Sequence, residues 1–257
     1  MRRLSLVTLL APTLALGQYP RTTVELRGSM DALSGGRDHW QEHTVSVGAR
    51  ATARTGFGVS AGWLERFAQV DRRVLVDGSF ALGRRVTLGA DAEWSPSHAV
   101  VARTGGGVRG HLGLSKGWGI EGRAAQRAYA ANTVRLFGGS LERYWGTWHA
   151  TYTGSVSLLD DAPRAVSHGA RGSRLWGDRG IVTLGVSSGR EVEALGAGVV
   201  LPMTVRSAGA WGAMPLGGSV DLTFATSVTR QGDVFTRTHT ALGLRVVRET
   251  HRRGGRD

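Results

Sequence analysis

The chain has 257 residues, 39 of them glycine, no cysteine, and a formal charge of +12 in which Lys116 is the single lysine. Glycine at roughly twice its ordinary frequency, without a three-residue period, excludes collagen. A hydrophobic fraction of 41% is too high for a disordered chain, and a mean hydropathy of -0.13 is too low for a bundle of membrane helices. Without cysteine there is no disulfide framework, thiolate metal site or thiol nucleophile.

The chain opens on Met1-Arg2-Arg3, followed by the apolar stretch Leu4 to Leu16 and the small residues flanking Leu16. This pattern predicts a secretory signal peptide over residues 1–17, cut after Gly17. No later segment carries the roughly 18 to 20 apolar residues that a membrane-spanning helix needs.

From there the sequence alternates with period two. Strands are predicted at 22–30, 40–51, 57–67, 72–82, 86–94, 103–114, 118–129, 133–144, 147–159, 165–176, 181–189, 203–214, 218–229 and 235–247. Side chains along a strand point alternately to opposite faces, so each segment has one apolar and one polar face. Residues 147–158 show it most clearly: Trp148, Ala150, Tyr152, Val156 and Leu158 oppose Thr147, His149, Thr151, Thr153, Ser155 and Ser157. Strands 133–144 and 165–176 alternate least cleanly, and twelve strands is the nearest alternative count.

Short breakers predict tight turns at Arg54-Thr55-Gly56, Gly83-Arg84-Arg85, Ser115-Lys116-Gly117, Trp145-Gly146, Gly177 to Gly180 and Pro215 to Gly218. Longer loops are expected at Asp31–Asp38, Ser95–Val101, Leu159–Arg164 and Arg190–Met203. Short turns at one end and long loops at the other are the pattern of outer-membrane barrels. The polar faces carry Gly, Ser and Thr with Arg66, Asp77, Asp91, Glu93, Arg109, Glu121 and Arg123, which suits a lumen better than the wet face of a soluble sandwich. Aromatic rings fall near both strand ends, as two bilayer interfaces select. Trp40, Trp63, Phe67, Trp94 and Tyr129 are assigned to the loop end. Phe57, Phe80, Trp118, Tyr144, Trp145, Trp148, Trp176 and Trp211 are assigned to the turn end.

Gly36-Arg37-Asp38-His39-Trp40-Gln41-Glu42, Glu65-Arg66-Phe67, Tyr144-Trp145-Gly146-Thr147-Trp148 and Arg174-Leu175-Trp176-Gly177-Asp178 recur in an order that resembles the YaiO-type outer-membrane β-barrel family. The similarity runs from about Thr22 to Val247. It implies an integral outer-membrane protein of a Gram-negative envelope, in a family some of whose relatives occur beside polysaccharide machinery. The family supplies no catalytic residues.

Three patterns have chemical readings. His39-Trp40-Gln41-Glu42-His43 matches a zinc-peptidase motif that works on a helix, but in a strand the two histidines stand about 13 Å apart. Gly105-Gly106-Gly107-Val108-Arg109-Gly110 matches a dinucleotide fingerprint but lacks the helix that must follow. Ser97, His98, Asp160, Asp161, Ser167 and His168 form the inventory for a rim enzyme, and Ser167 and His168, adjacent in a strand, face opposite ways.

The expectation is therefore an all-β, transmembrane antiparallel up-and-down barrel over residues 18–250, with a basic tail over 251–257. No catalytic, cofactor-binding or metal-binding residues are assigned, and no cofactor. The expected function is a narrow pore, porin-like, or an envelope accessory associated with polysaccharide export; the alternative is a rim enzyme acting on lipid or peptide. Expected partners are outer-membrane lipids and lipopolysaccharide, with no nucleic acid, because the arginines are spread over turns, lumen and tail. The expected state is a monomer in the cell outer membrane.

Overall fold

The computed structural model describes residues 21–160, 162–196 and 199–249. The expected signal peptide and the tail 251–257 lie outside these residues, as does Asp161. Fourteen strands run β1 Arg21–Leu33, β2 Trp40–Arg50, β3 Thr55–Arg66, β4 Gln69–Leu82, β5 Val86–Trp94, β6 Thr104–Gly113 and β7 Trp118–Ala128. They continue with β8 Thr133–Trp145, β9 Trp148–Leu159, β10 Ala165–Trp176, β11 Gly180–Gly196, β12 Val199–Gly217, β13 Val220–Gln231 and β14 Phe235–Glu249. Each pairs antiparallel with its sequence neighbours, and β1 pairs with β14 from Arg21↔Glu249 to Leu33↔Arg237, so the sheet closes. Closure leaves no unpaired edge. Both strands 133–145 and 165–176 are full members of the sheet, which settles the count at fourteen.

The period-two pattern sets the two surfaces. Outside stand rows of large apolar side chains, with Leu26 58%, Val108 61% and Leu184 62% exposed. A closed sheet presenting such an apolar band to its surroundings needs lipid to cover it. No helix among the described residues is long and apolar enough to cross a membrane.

Inside, glycine makes room for charge. The guanidinium of Arg109 lies across Gly89, where a Cβ would stand 2.7 Å from Nε; the Glu93 carboxylate lies across Gly105, with Oε1 2.6 Å from the same hypothetical atom. Gly89 pairs with Arg109 and Gly105 with Glu93 directly across strands. The G-x-G-x-x-G run is thus a lumenal strand, β6, in which small residues accommodate the neighbouring carboxylates.

Three expectations need correction. Arg190–Met203 is not a loop. Arg190↔Thr204, Glu191↔Met203 and Val192↔Pro202 continue the ladder, so β11 and β12 extend well past their neighbours at the loop end. Val192 and Val200 pack with Val134, Leu159 and Tyr129, and burying those side chains holds the extension against the rim. Second, Trp40, Tyr129, Tyr144 and Trp211 do not belong to the lipid-facing rings: Tyr129 lines the lumen and Tyr144 stacks on the buried His149. Trp40 pairs with Asp31 and is 2% exposed, and Trp211 pairs with Thr183 and Ala225, so both share the lumenal face of their strands. Third, the strand predicted from residue 72 starts at Gln69, so the turn between β3 and β4 at the loop end is only Phe67-Ala68, both at positive φ (53° and 57°). That geometry suits a two-residue hairpin. At the turn end, Pro215 stays within β12 beside a register shift, where a strand tolerates a residue without an N–H donor.

Candidate functional site

The lumen is filled unevenly. At the turn end it is packed with ion pairs. Arg245 Nη2 donates to Asp221 Oδ2 at 2.8 Å, and Arg179 reaches the other oxygen of Asp221 at 3.3 Å. His111 Nε2 and His149 Nε2 lie 2.6 and 3.1 Å from the two oxygens of Glu142. The Tyr144 ring stacks on His149 at 4.0 Å, which fixes the imidazole in place.

At the loop end two apolar patches close in from opposite sides. One is the segment 95–103 between β5 and β6, which dips into the barrel. Asp71 on β4 is fully buried and accepts backbone N–H bonds from Ala99, Val100 and Val101 at 2.9, 2.7 and 2.9 Å. So anchored, Val100 and Val101 pack on Leu64 and Phe67. The other patch is the β11–β12 extension. Between them, Trp40 lies edge-on to Phe67 and Phe235, with the guanidiniums of Arg66 and Arg237 at 4.7 and 5.7 Å from its ring. Asp31 ties this layer together, with His239 Nδ1 at 2.7 Å, Arg237 at 3.8 Å and Arg66 at 4.0 Å.

Below this layer lies a cavity of about 440 Å³. Six arginines (Arg27, Arg66, Arg123, Arg127, Arg171 and Arg237) and four carboxylates (Asp31, Glu42, Glu121 and Glu191) line it. The remaining wall, from β8 to β13, mixes small hydroxyl residues and glycines with apolar side chains such as Leu136, Val192, Trp211 and Phe224. Ser155 and Ser167 bond at 2.9 Å, and Ser187 and Ser207 at 2.6 Å. Most of the charge is paired: Arg127 Nε donates to Glu93 at 2.6 Å, and Arg73 reaches Glu42 at 3.1 Å.

The candidate residues from sequence are scattered. His39 lies in the loop before β2, Glu42 faces the lumen with Arg73, and His43 stacks on Trp63 at 4.9 Å, so no shared ligation arises. No metal-holding group of His, Asp and Glu occurs among the described residues. Ser97 Oγ accepts the Arg72 N–H at 2.9 Å, and His98 Nδ1 lies 3.2 Å from the Pro96 carbonyl, so both serve the folding of the 95–103 loop. Ser167 bonds Ser155 inside the lumen while the His168 ring stacks with Tyr152 of the apolar face. Asp160 is an exposed turn residue.

The barrel has counterparts among solved structures. It superposes on a CymD monoaromatic hydrocarbon channel with a TM-score of 0.62, at 8% identity over 95% of this chain and 92% of that one. A bacterial polysaccharide outer membrane secretin gives 0.56 at 11% identity, covering 90% and 98% of the two chains. The fold is that of an outer-membrane β-barrel. No family model matches the chain, and no curated protein matches it in sequence. The outer-membrane barrel therefore supplies the frame, and the chemistry must be read from its lumen.

Proposed function

We propose that the protein is a monomeric, narrow pore of the outer membrane for small polar solutes, with its turns and chain ends in the periplasm and its loops outside. The polar cavity enclosed by a complete ring of fourteen strands carries this reading. Fourteen strands fall between eight-stranded barrels filled by side chains and open porins of roughly sixteen or more. The inward loop 95–103 and the packed ion pairs narrow what the ring leaves open. The test is reconstitution in planar bilayers. Discrete, sub-porin conductance steps are expected; a folded, heat-modifiable barrel that passes no current overturns the pore.

The outer face supports lipopolysaccharide as the surrounding lipid. Arg206 of β12 and Arg230 of β13 stand directly opposite each other on that face, one pleat above the apolar pair Ala208 and Val228. Asp233 already reaches Arg230 at 2.9 Å and offsets part of the repulsion, and a lipid phosphate placed between the two guanidiniums would offset the rest. An R206Q/R230Q variant should carry less lipopolysaccharide through purification than the parent; equal amounts overturn the assignment.

A further inference from the structure

We propose that Arg123 and Arg171 form a binding site inside the lumen for a small hydroxylated carboxylate. The site deepens the pore reading, on which its consequence for transport rests.

Of the six arginines that line the cavity, Arg27, Arg66, Arg127 and Arg237 each reach a carboxylate within 4.0 Å, and these two do not. Neither forms an ion pair or hydrogen bond with a carboxylate among the described residues, although Glu121, two residues along β7, and Asp91 of β5 offset Arg123 at longer range. The two arginines repel each other across β8 and β9. The Arg123 Nε is buried and has no hydrogen-bond partner. Its side chain lies across Gly138 of β8, where a Cβ would stand 3.0 Å from Nε, so the guanidinium is carried along the wall toward β9 and β10. Arg171 comes from β10, paired with Thr151 on one side and Gly185 on the other. Two like charges converging in a confined polar space cost free energy that an anion between them removes, and guanidiniums match a carboxylate in planar, two-pronged fashion.

The walls specify more than charge. The bonded pairs Ser155–Ser167 and Ser187–Ser207 leave lone pairs and one proton per pair turned to the cavity, suited to a ligand bearing hydroxyls. The Trp211 indole lies over Gly185, the register neighbour of Arg171, with its ring edge 2.6 Å from where a Cβ would stand. It offers an apolar surface beside the charge, as ligand sites with few polar anchors do. Arg127, held by Glu93, sets the charge of the neighbouring wall without competing for the ligand.

The experiment uses the folded full-length barrel in detergent, with sodium gluconate as the probe. Calorimetry should show gluconate binding that R123Q/R171Q weakens at least tenfold, with R171K retaining more affinity than R171Q if the double variant folds poorly. Tryptophan emission should respond to gluconate in the parent and not in W211F. In bilayers under a KCl gradient, the parent should favour anions, and R171Q should shift the reversal potential toward zero while current persists. Absent binding by the parent, or equal binding by R171Q, overturns the site. Binding without any current leaves the site standing and overturns the pore; current with unchanged binding and unchanged ion preference in R171Q does the reverse.

Discussion

The carboxylate of Asp71 holds the backbone of Val100 at 2.7 Å, and through that bond and its two neighbours it pins the inward loop 95–103. The acceptor is fully buried, so Asp71→Ala removes a charged acceptor from three N–H groups at once. Leaving buried donors unsatisfied costs about 1–3 kcal/mol, and the loop escapes that cost by swinging out into water. Asp71→Ala should therefore raise single-channel conductance and broaden its noise, with a modest fall in the urea midpoint. Unchanged conductance would mean that Val100 and Val101 do not narrow the passage.

Gly89 and Gly105 are expected to resist substitution for steric reasons that Gly122 lacks. A Cβ at either of the first two meets Arg109 or Glu93 at under 3.0 Å, whereas at Gly122 nothing lies within 4 Å. Overpacking of this kind typically costs about 1–3 kcal/mol. Gly89→Ala and Gly105→Ala should lower the urea midpoint of the refolded barrel, and Gly122→Ala should leave it within error. Equal behaviour of the three would show that Arg109 and Glu93 relax without cost.

Much of this architecture is legible in the sequence because period two is a local property. Val86 to Trp94 declares both its faces within nine residues, and its strand boundaries match the structure. What is not legible depends on partners far away in the chain. The strand-like run Arg190–Met203 is interrupted by glycines, and its pairing becomes evident only when Val192 and Val200 find Val134 and Leu159. Trp40 looks like an interfacial ring until the register places it opposite Asp31. Arg123 is recognisable as lumenal from alternation, but its approach to Arg171 depends on how β7 to β10 stagger around the ring, which no single strand encodes.

The apolar outer face makes a direct prediction about the membrane. Leu184 and Val186 face outward on β11, 62% and 60% exposed, beside Ala210 and Ala208 of β12. An arginine on the lipid side near the bilayer midplane costs about 2–4 kcal/mol. Leu184→Arg should therefore lower folding efficiency into vesicles, whereas Ser187→Arg, on the lumenal side of the same strand, should fold well and reduce conductance. Tolerance of arginine at Leu184 would place that face in water and overturn the membrane assignment.

Glu142 should be a sensitive position at the turn end. Its two oxygens serve His111 at 2.6 Å and His149 at 3.1 Å, and all three side chains are nearly buried. Thr151 Oγ1 lies 3.2 Å from the same His149 nitrogen, so Glu142 and Thr151 converge on one imidazole while Tyr144 stacks on its face. Removing the carboxylate strands both imidazoles, and His111 already has no partner at Nδ1. Breaking a buried pair from one side costs about 3–5 kcal/mol. Glu142→Ala should fall in that range by urea unfolding, while Glu142→Gln keeps one oxygen as an acceptor and should lose clearly less. If the two variants are equally destabilised, the charge on Glu142, more than its hydrogen-bonding shape, is what holds the histidines together.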